Sequence, residues 1–438
     1  MLKLVTIALF SALALTSPAQ AAPKKPKAAS AATSSLPATP LDLRIEQLVP
    51  LLNDKLPLES YFTPSFLTAI PPAQFKEITG SFTQQHGAAL KIASVKRNGP
   101  NNAVVEVEYE RAVGTVELTI EAATPHRVGG ILAKGFALKG DSFDRIKSDF
   151  AALPGSSGFV VQRLTERGGE TLHALNPDKQ FAIGSTFKLY VLAELASQAA
   201  AGDRRWTDVV PIGTRNHSSA ATQNWPLNTP VTLQTLATWM ISVSDNAATD
   251  ALMRELGRER IEGKLASIGH SNPDKTLPML TTVEAFALKS NPALRQRFEQ
   301  ATEAGQRALL NGERTALSYS AIDMSQLGSG PVAIDSIEWF ASPRDVALLL
   351  DNLRRMNGQT AREVMAVNSG VGAAAAGKWR YLGYKGGSEP GVISMSFLAQ
   401  SKAGDWYAVS GSWNNPVKEV DNAAFAELMT RLLDAAAL

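Results

Sequence analysis

The chain has 438 residues, with 43 Lys and Arg against 41 Asp and Glu, so neither a nucleic acid nor an anionic membrane surface has an electrostatic claim on it. It contains no cysteine, which excludes disulfides, thiol nucleophiles and Cys-based metal sites and suits an oxidising compartment. The length suggests two or three domains, and 45% hydrophobic residues can fill sizeable cores but not a multispanning membrane protein.

Taken in chain order, residues 1–21 read as a signal peptide. Lys3 gives a positive start, Leu4 to Thr16 is an apolar run too short to span a bilayer comfortably, and Ala19-Gln-Ala21 is a small-residue cleavage site. The expected location is secreted or periplasmic, with no stable membrane insertion after cleavage. Residues 22–40 are Pro, Ala, Ser and Lys with little to bury, a flexible linker.

Residues 41–139 form a first folded unit. Leu43 to Pro50 and Ser65 to Phe82 carry apolar residues at helical spacing. The period then changes to two over Leu90–Val95, Ala103–Tyr109 and Gly114–Ile120, with turn residues between Asn98 and Asn102. Helices followed by an antiparallel meander predict a small α+β accessory domain.

Residues 150–438 form the second unit. Gly158–Arg163 and Glu170–Leu175 read as strands around a Gly-rich turn, and Gly184 to about Met356 is rich in helix. Strands return at Trp379–Lys385, Gly391–Gln400 and Asp405–Trp413, and residues 418–435 close the chain as an amphipathic helix. The expected class is α/β: an α+β sheet built from both ends of the unit, with a helical insert between them.

Three short motifs in this unit carry chemistry. Ser185-Thr-Phe-Lys188, the one S-x-x-K in the chain, opens a predicted helix, so Lys188 lies one turn from the Ser185 hydroxyl on the same face. A serine hydroxyl is a poor nucleophile until a neighbour takes its proton, and a lysine does so when burial lowers its pKa. Free N–H groups at a helix N-terminus also favour an oxyanion developing there. Taken alone, the motif also fits an N-capping Ser with an exposed Lys. Ser244-Asp245-Asn246 sits between two helical stretches; Ser244 can relay a proton and Asn246 can bind a substrate amide, or the segment is ordinary capping. Lys385-Gly386-Gly387-Ser388 ends a predicted strand, where its glycines permit close approach and the Ser388 N–H is a second oxyanion donor, or it is a bulge before a hairpin. Together and in this order the three describe acyl transfer through a serine ester.

With these motifs the chain resembles the penicillin-recognising serine hydrolases, class A β-lactamases and D-alanyl-D-alanine peptidases, over about residues 150–438. The resemblance implies a β-lactamase/transpeptidase-like fold, no cofactor, no metal, and a small acyl substrate such as a β-lactam or an ester. It makes Ser185 the acylated nucleophile, Lys188 its base, Ser244 the proton relay and Asn246 a substrate contact. Lys385 becomes an electrostatic anchor, with Ser388, beside Gly387, as oxyanion donor. The accessory domain resembles a subgroup carrying a steroid-isomerase-like (cystatin-like) N-terminal domain. Two departures matter. Gly386 stands where the family has a hydroxyl residue that contacts a substrate carboxylate, which points toward esters. The loop glutamate that activates the deacylating water is also missing from its Glu-Pro-x-Leu-Asn context. Glu284, in Thr281-Thr-Val-Glu284, is either that base or half of a helix capping box. The implied activity is an exported serine hydrolase; the alternatives are a D-Ala-D-Ala carboxypeptidase and a non-turnover β-lactam or muropeptide sensor.

Other signals fail on context. Gly372 to Lys378 matches most of a phosphate loop, but Trp379 replaces the required Ser or Thr. The five histidines have no metal-ligand spacing, and no G-x-S-x-G is present.

Overall fold

The computed structural model describes residues 38–437 apart from positions 214, 220 and 329. The expected signal peptide, residues 1–21, and most of the expected linker, residues 22–40, therefore lie outside the described residues. Among those residues, no helix is long and apolar enough to cross a membrane.

The first unit opens with short helices, Pro40–Glu46, Leu48–Leu52, Leu58–Tyr61 and Pro64–Ala69, and then a longer one, Pro72–His86. Prolines explain the fragmentation: Pro40, Pro64 and Pro72 each start a helix where the missing N–H costs nothing. Four antiparallel strands follow in chain order, β1 (Ala89–Arg97), β2 (Asn102–Tyr109), β3 (Ala112–Ile120) and β4 (Val128–Leu138). Alternate residues Val105, Val107 and Tyr109 of β2 face the helices and join Leu48, Tyr61 and Phe62 in one core. Sequence periodicity finds the first three strands but misses β4. Its glycines and two register shifts against β3 break the alternation.

The second unit is built on an antiparallel five-stranded sheet. Its strands are β5 (Ser156–Thr165) and β6 (Gly168–Leu175) from the front of the unit, and β11 (Tyr381–Glu389), β12 (Val392–Gln400) and β13 (Trp406–Asn414) from the back. Between them come two short ribbons. In one, β7 (Phe181–Ala182) pairs β10 (Phe340–Ala341); in the other, β8 (Val209–Pro211) pairs β9 (Pro230–Thr232). The sheet order β11-β12-β13-β5-β6 places β11 at an edge, where it is free to face the helical region.

One sheet face packs Phe159, Phe397 and Val409 against Phe425, Met429 and Leu432 of the closing helix Asn422–Ala436. The same layer holds helix Phe143–Ala151 through Ile146 and Phe150, both fully buried. Arg431 fixes this pair of helices by 2.8 Å ion pairs to Asp141 and Asp149. Residues 141–151, between the two units read from sequence, thus pack with the second unit. The opposite face covers helix Lys188–Ala201, which is buried on nearly all sides among helices Leu233–Ser242, Asn246–Leu256, Arg258–Ile268 and Pro343–Arg355. At roughly 1.5–3 kcal/mol for each large apolar side chain removed from water, this helix is anchored far beyond its intrinsic propensity.

Candidate active site

Ser185 lies in a 3-10 turn, Gly184–Phe187, that leads into helix Lys188–Ala201. The turn is pinned from behind by Phe187 stacked on Trp339, with ring centroids 3.8 Å apart, and by Ile183 N donating to Trp339 O at 2.9 Å. Strand β11 crosses its front. A Cβ built on Gly387 would overlap Ile183 O and Ser185 N and stand 2.7 Å from Thr186 N, so only glycine allows this approach. The Cβ position of Gly184 is likewise 3.3 Å from Ser388 N. The backbone nitrogens of Ser185 and Ser388 are thereby brought close to one another across the two glycines.

The second motif is a strained turn between helices Leu233–Ser242 and Asn246–Leu256, with Ser244 at φ +59°. Asp245 holds it: one carboxylate oxygen accepts from Thr222 Oγ1 at 2.9 Å and from Ala248 N at 2.9 Å, capping the next helix. Asn246 Nδ2 donates to His217 O at 3.0 Å, leaving its Oδ1 aimed at Lys188.

Lys188 is fully buried, and its Nζ donates to Asn246 Oδ1 at 2.6 Å, Ser244 O at 2.7 Å and Ser244 Oγ at 3.2 Å. Lys385 Nζ approaches the same Ser244 Oγ from the other side at 3.0 Å and also bonds Gly386 O. Burial pushes the Lys188 amine down to about 7, against the opposing pull of Asp250 and Asp245. Burial, and then the neighbouring Lys188, hold Lys385 well below an ordinary lysine. When Lys188 is neutral it keeps two N–H donors and gains a lone pair. Of its three contacts only the Ser244 hydroxyl can turn and donate, so these amines and Ser244 form one proton-transfer unit.

Ser185, Ser244, Asn246, Lys385, Gly387 and Ser388 line one cleft of about 960 Å³, with Lys188 buried beneath it. Glu284 is not among the lining residues. Its carboxylate completes the capping box by accepting from Thr281 N at 2.8 Å and takes a two-oxygen ion pair from Arg258 Nη2 at 2.6 and 2.8 Å. Helix N-terminus chemistry thus occupies it.

The cleft also holds groups that sequence reading missed. Lys289 Nζ is 2.6 Å from Glu338 and bonds Glu389, three ionisable side chains on the cleft wall. Burial alone would lower Lys289, but the two carboxylates outweigh it and raise its pKa. Burial and the adjacent Glu338 push Glu389 well above the usual carboxylate range, despite Lys289. These residues stand 49 and 100 positions apart, and no local pattern joins them. Asp250, next to the site, accepts from Thr282 N at 2.7 Å, and burial raises its carboxyl to about 6. Among the described residues, no group of three or more His, Cys, Asp or Glu has the arrangement of a metal site.

A serine at a helix start, a buried lysine one turn on and backbone N–H groups brought close by glycines have the make-up of a serine hydrolase site. The model of the β-lactamase enzyme family matches residues 142–367, more than half of the chain, and the chain belongs to that family. Lys385 to Ser388 lie beyond the matched segment and reach the site through the sheet. No curated protein matches the chain in sequence. Solved structures similar to it include a β-lactamase from Sphaerobacter thermophilus DSM 20745, at 20% identity and TM-score 0.48, covering 68% of this chain and 97% of that one. A putative class A β-lactamase from Rhodopseudomonas palustris aligns at 16% identity and TM-score 0.48, covering 68% of this chain and 98% of that one. PBP-A aligns at 16% identity and TM-score 0.44, covering 67% and 93%.

Proposed function

We propose that the protein is an exported serine hydrolase that forms an acyl-enzyme at Ser185 with β-lactams, esters or related amides. The observation that carries this reading is the convergence of Lys188 Nζ and Lys385 Nζ on Ser244 Oγ beside the Ser185–Ser388 N–H pair. Neutral Lys188 takes the Ser185 proton as Oγ attacks the acyl carbonyl, and the oxyanion is held by the two N–H groups. The proton passes through Ser244 to the leaving nitrogen or oxygen as that bond breaks. Hydrolysis of the ester then needs an activated water, and the engagement of Glu284 with Arg258 and Thr281 supports slow deacylation. That same engagement favours a second reading, a sensor that is acylated and clears slowly. Export rests on residues 1–21, and a steroid-isomerase-like origin for residues 41–139 on their helix-then-meander order.

The test is intact mass of the protein after exposure to penicillins, cephalosporins and simple esters. The expected result is a stoichiometric adduct that maps to Ser185 and is absent from Ser185→Ala. Multiple rapid turnovers would remove the sensor, and adducts at another residue would remove the whole assignment.

A further inference from the structure

The acyl-transfer chemistry makes no use of Lys289, Glu338 and Glu389, yet all three line the cleft. Lys289, in the last turn of helix Thr282–Ser290, has Glu338 at 2.6 Å from its Nζ and bonds Glu389 with the same ammonium. Glu389 directly follows Ser388 at the end of β11. Glu338 directly precedes Trp339, and its second carboxylate oxygen accepts from Trp339 N at 3.3 Å. Trp339 in turn pins the Ser185 turn, through the Phe187 stack and through its carbonyl, which accepts from Ile183 N at 2.9 Å. One ammonium therefore ties the strand end that carries Ser388 to the residue that holds Ser185. That strand end needs a tether. β11 is the edge of its sheet, bonded only to β12, and 200 residues of chain separate it from the turn it faces. A buried ion cluster is a poor source of net stability, because lost hydration offsets the attraction; what it fixes is geometry.

We propose that Lys289, Glu338 and Glu389 are positioning residues, a clasp that holds the Ser388 N–H in register with the Ser185 N–H so that both reach the oxyanion of the acyl donor. The inference rests on the acyl-enzyme reading above and assigns the residues that set the spacing of its two donors. Burial and the adjacent Glu338 push Glu389 well above the usual carboxylate range, so it keeps its proton where an ordinary glutamate has lost it. Lys289 and Glu338 then balance in charge, and the strand is held by hydrogen bonds of a neutral acid. A glutamine at 389 has the same shape and can likewise accept from Lys289 and donate to Glu338.

The experiment compares the unaltered protein with Glu389→Ala and Glu389→Gln, using benzylpenicillin and a p-nitrophenyl ester as acyl donors. Stopped-flow acylation over a range of concentrations separates the saturating rate from the half-saturating concentration. Infrared difference spectra of the acyl-enzyme read the ester carbonyl stretch, which falls in frequency as N–H donors bond it more closely. The Glu389 side chain is 21% exposed and its truncation spares the Lys289–Glu338 pair, so the alanine variant keeps its fold, with the melting temperature as control. Glu389→Ala is expected to slow the saturating rate about tenfold, to change half-saturation less than about twofold, and to move the carbonyl band to higher frequency. Glu389→Ser, a second truncation, is expected to behave as alanine does. Glu389→Gln is expected to keep the rate within about twofold and the band in place. An unmoved band in both truncations, or a loss as large in Glu389→Gln as in Glu389→Ala, would overturn the clasp while leaving the Ser185 chemistry standing. Absence of a Ser185 adduct with every acyl donor in the unaltered protein would overturn the hydrolase reading and this one with it.

Discussion

Lys188 gives the most quantitative handle on the mechanism. Its amine is fully buried and titrates at about 7, where an ordinary lysine titrates at 10.5. By the worth of a pKa displacement, its surroundings disfavour the ammonium by about 5 kcal/mol. At pH 7 roughly half of the molecules then carry a neutral amine, against about one in 3,000 for an unperturbed lysine. A base acts only when deprotonated, so the sign is fixed: acylation is complete above the lowered pKa and is lost as pH falls through it. Single-turnover acylation, followed by intact mass or a chromogenic cephalosporin, is expected to fall about tenfold per pH step below 7 and to level off above 8. Lys188→Arg keeps a cation but cannot release a proton, and is expected to acylate at least a thousandfold more slowly. A profile flat from pH 5 to 8.5, or near-normal acylation in the arginine variant, would refute Lys188 as the base.

Three further outcomes follow from the geometry. Gly387→Ala places a methyl against Ile183 O and Ser185 N and should cut acylation about a hundredfold by displacing one oxyanion donor, with the melting temperature as the control for folding. Glu284→Gln should lower stability by about 1 kcal/mol through the cap and the Arg258 pair while leaving deacylation within twofold; a stalled acyl-enzyme with intact acylation would make Glu284 the base after all. A protein beginning at Gly140 keeps the Asp141–Arg431 ion pair and should still acylate Ser185. Its KM should shift, because Lys134 O of β4 packs against Gly372, next to the Asn368–Gly370 wall of the cleft; loss of all acylation in a cooperatively folded truncation would show that residues 41–139 build the site itself.

What the sequence disclosed follows from how local each feature is. Ser185 and Lys188 share one helical turn, Ser244 to Asn246 one loop, and Lys385 to Ser388 one strand end, so each motif is contiguous and its residue types are dictated by chemistry. The capping box at Thr281 and Glu284 was legible for the same reason. The Lys289–Glu338–Glu389 cluster was not, because it exists only after distant elements pack together. Helix Phe143–Ala151 falls largely in the stretch the sequence reading left unassigned between its two units, since its apolar face has no purpose until the closing helix covers it.

The strand order of the catalytic sheet has a consequence for how the molecule comes into being. In the accessory domain each strand pairs with its neighbour in the chain, so the meander can form as soon as it emerges. In the catalytic domain β5 must wait for β13, with Val161 opposite Val409, and the Ser185 turn must wait for β11. Nearly all of the polypeptide therefore exists before Ser185, Lys188, Lys385 and the Ser388 N–H meet. An incomplete chain carries Ser185 and Lys188 but lacks Lys385 and the Ser388 N–H. On the proposed reading, acylating power belongs to the finished chain, and a copy broken off before β11 is expected to form no adduct.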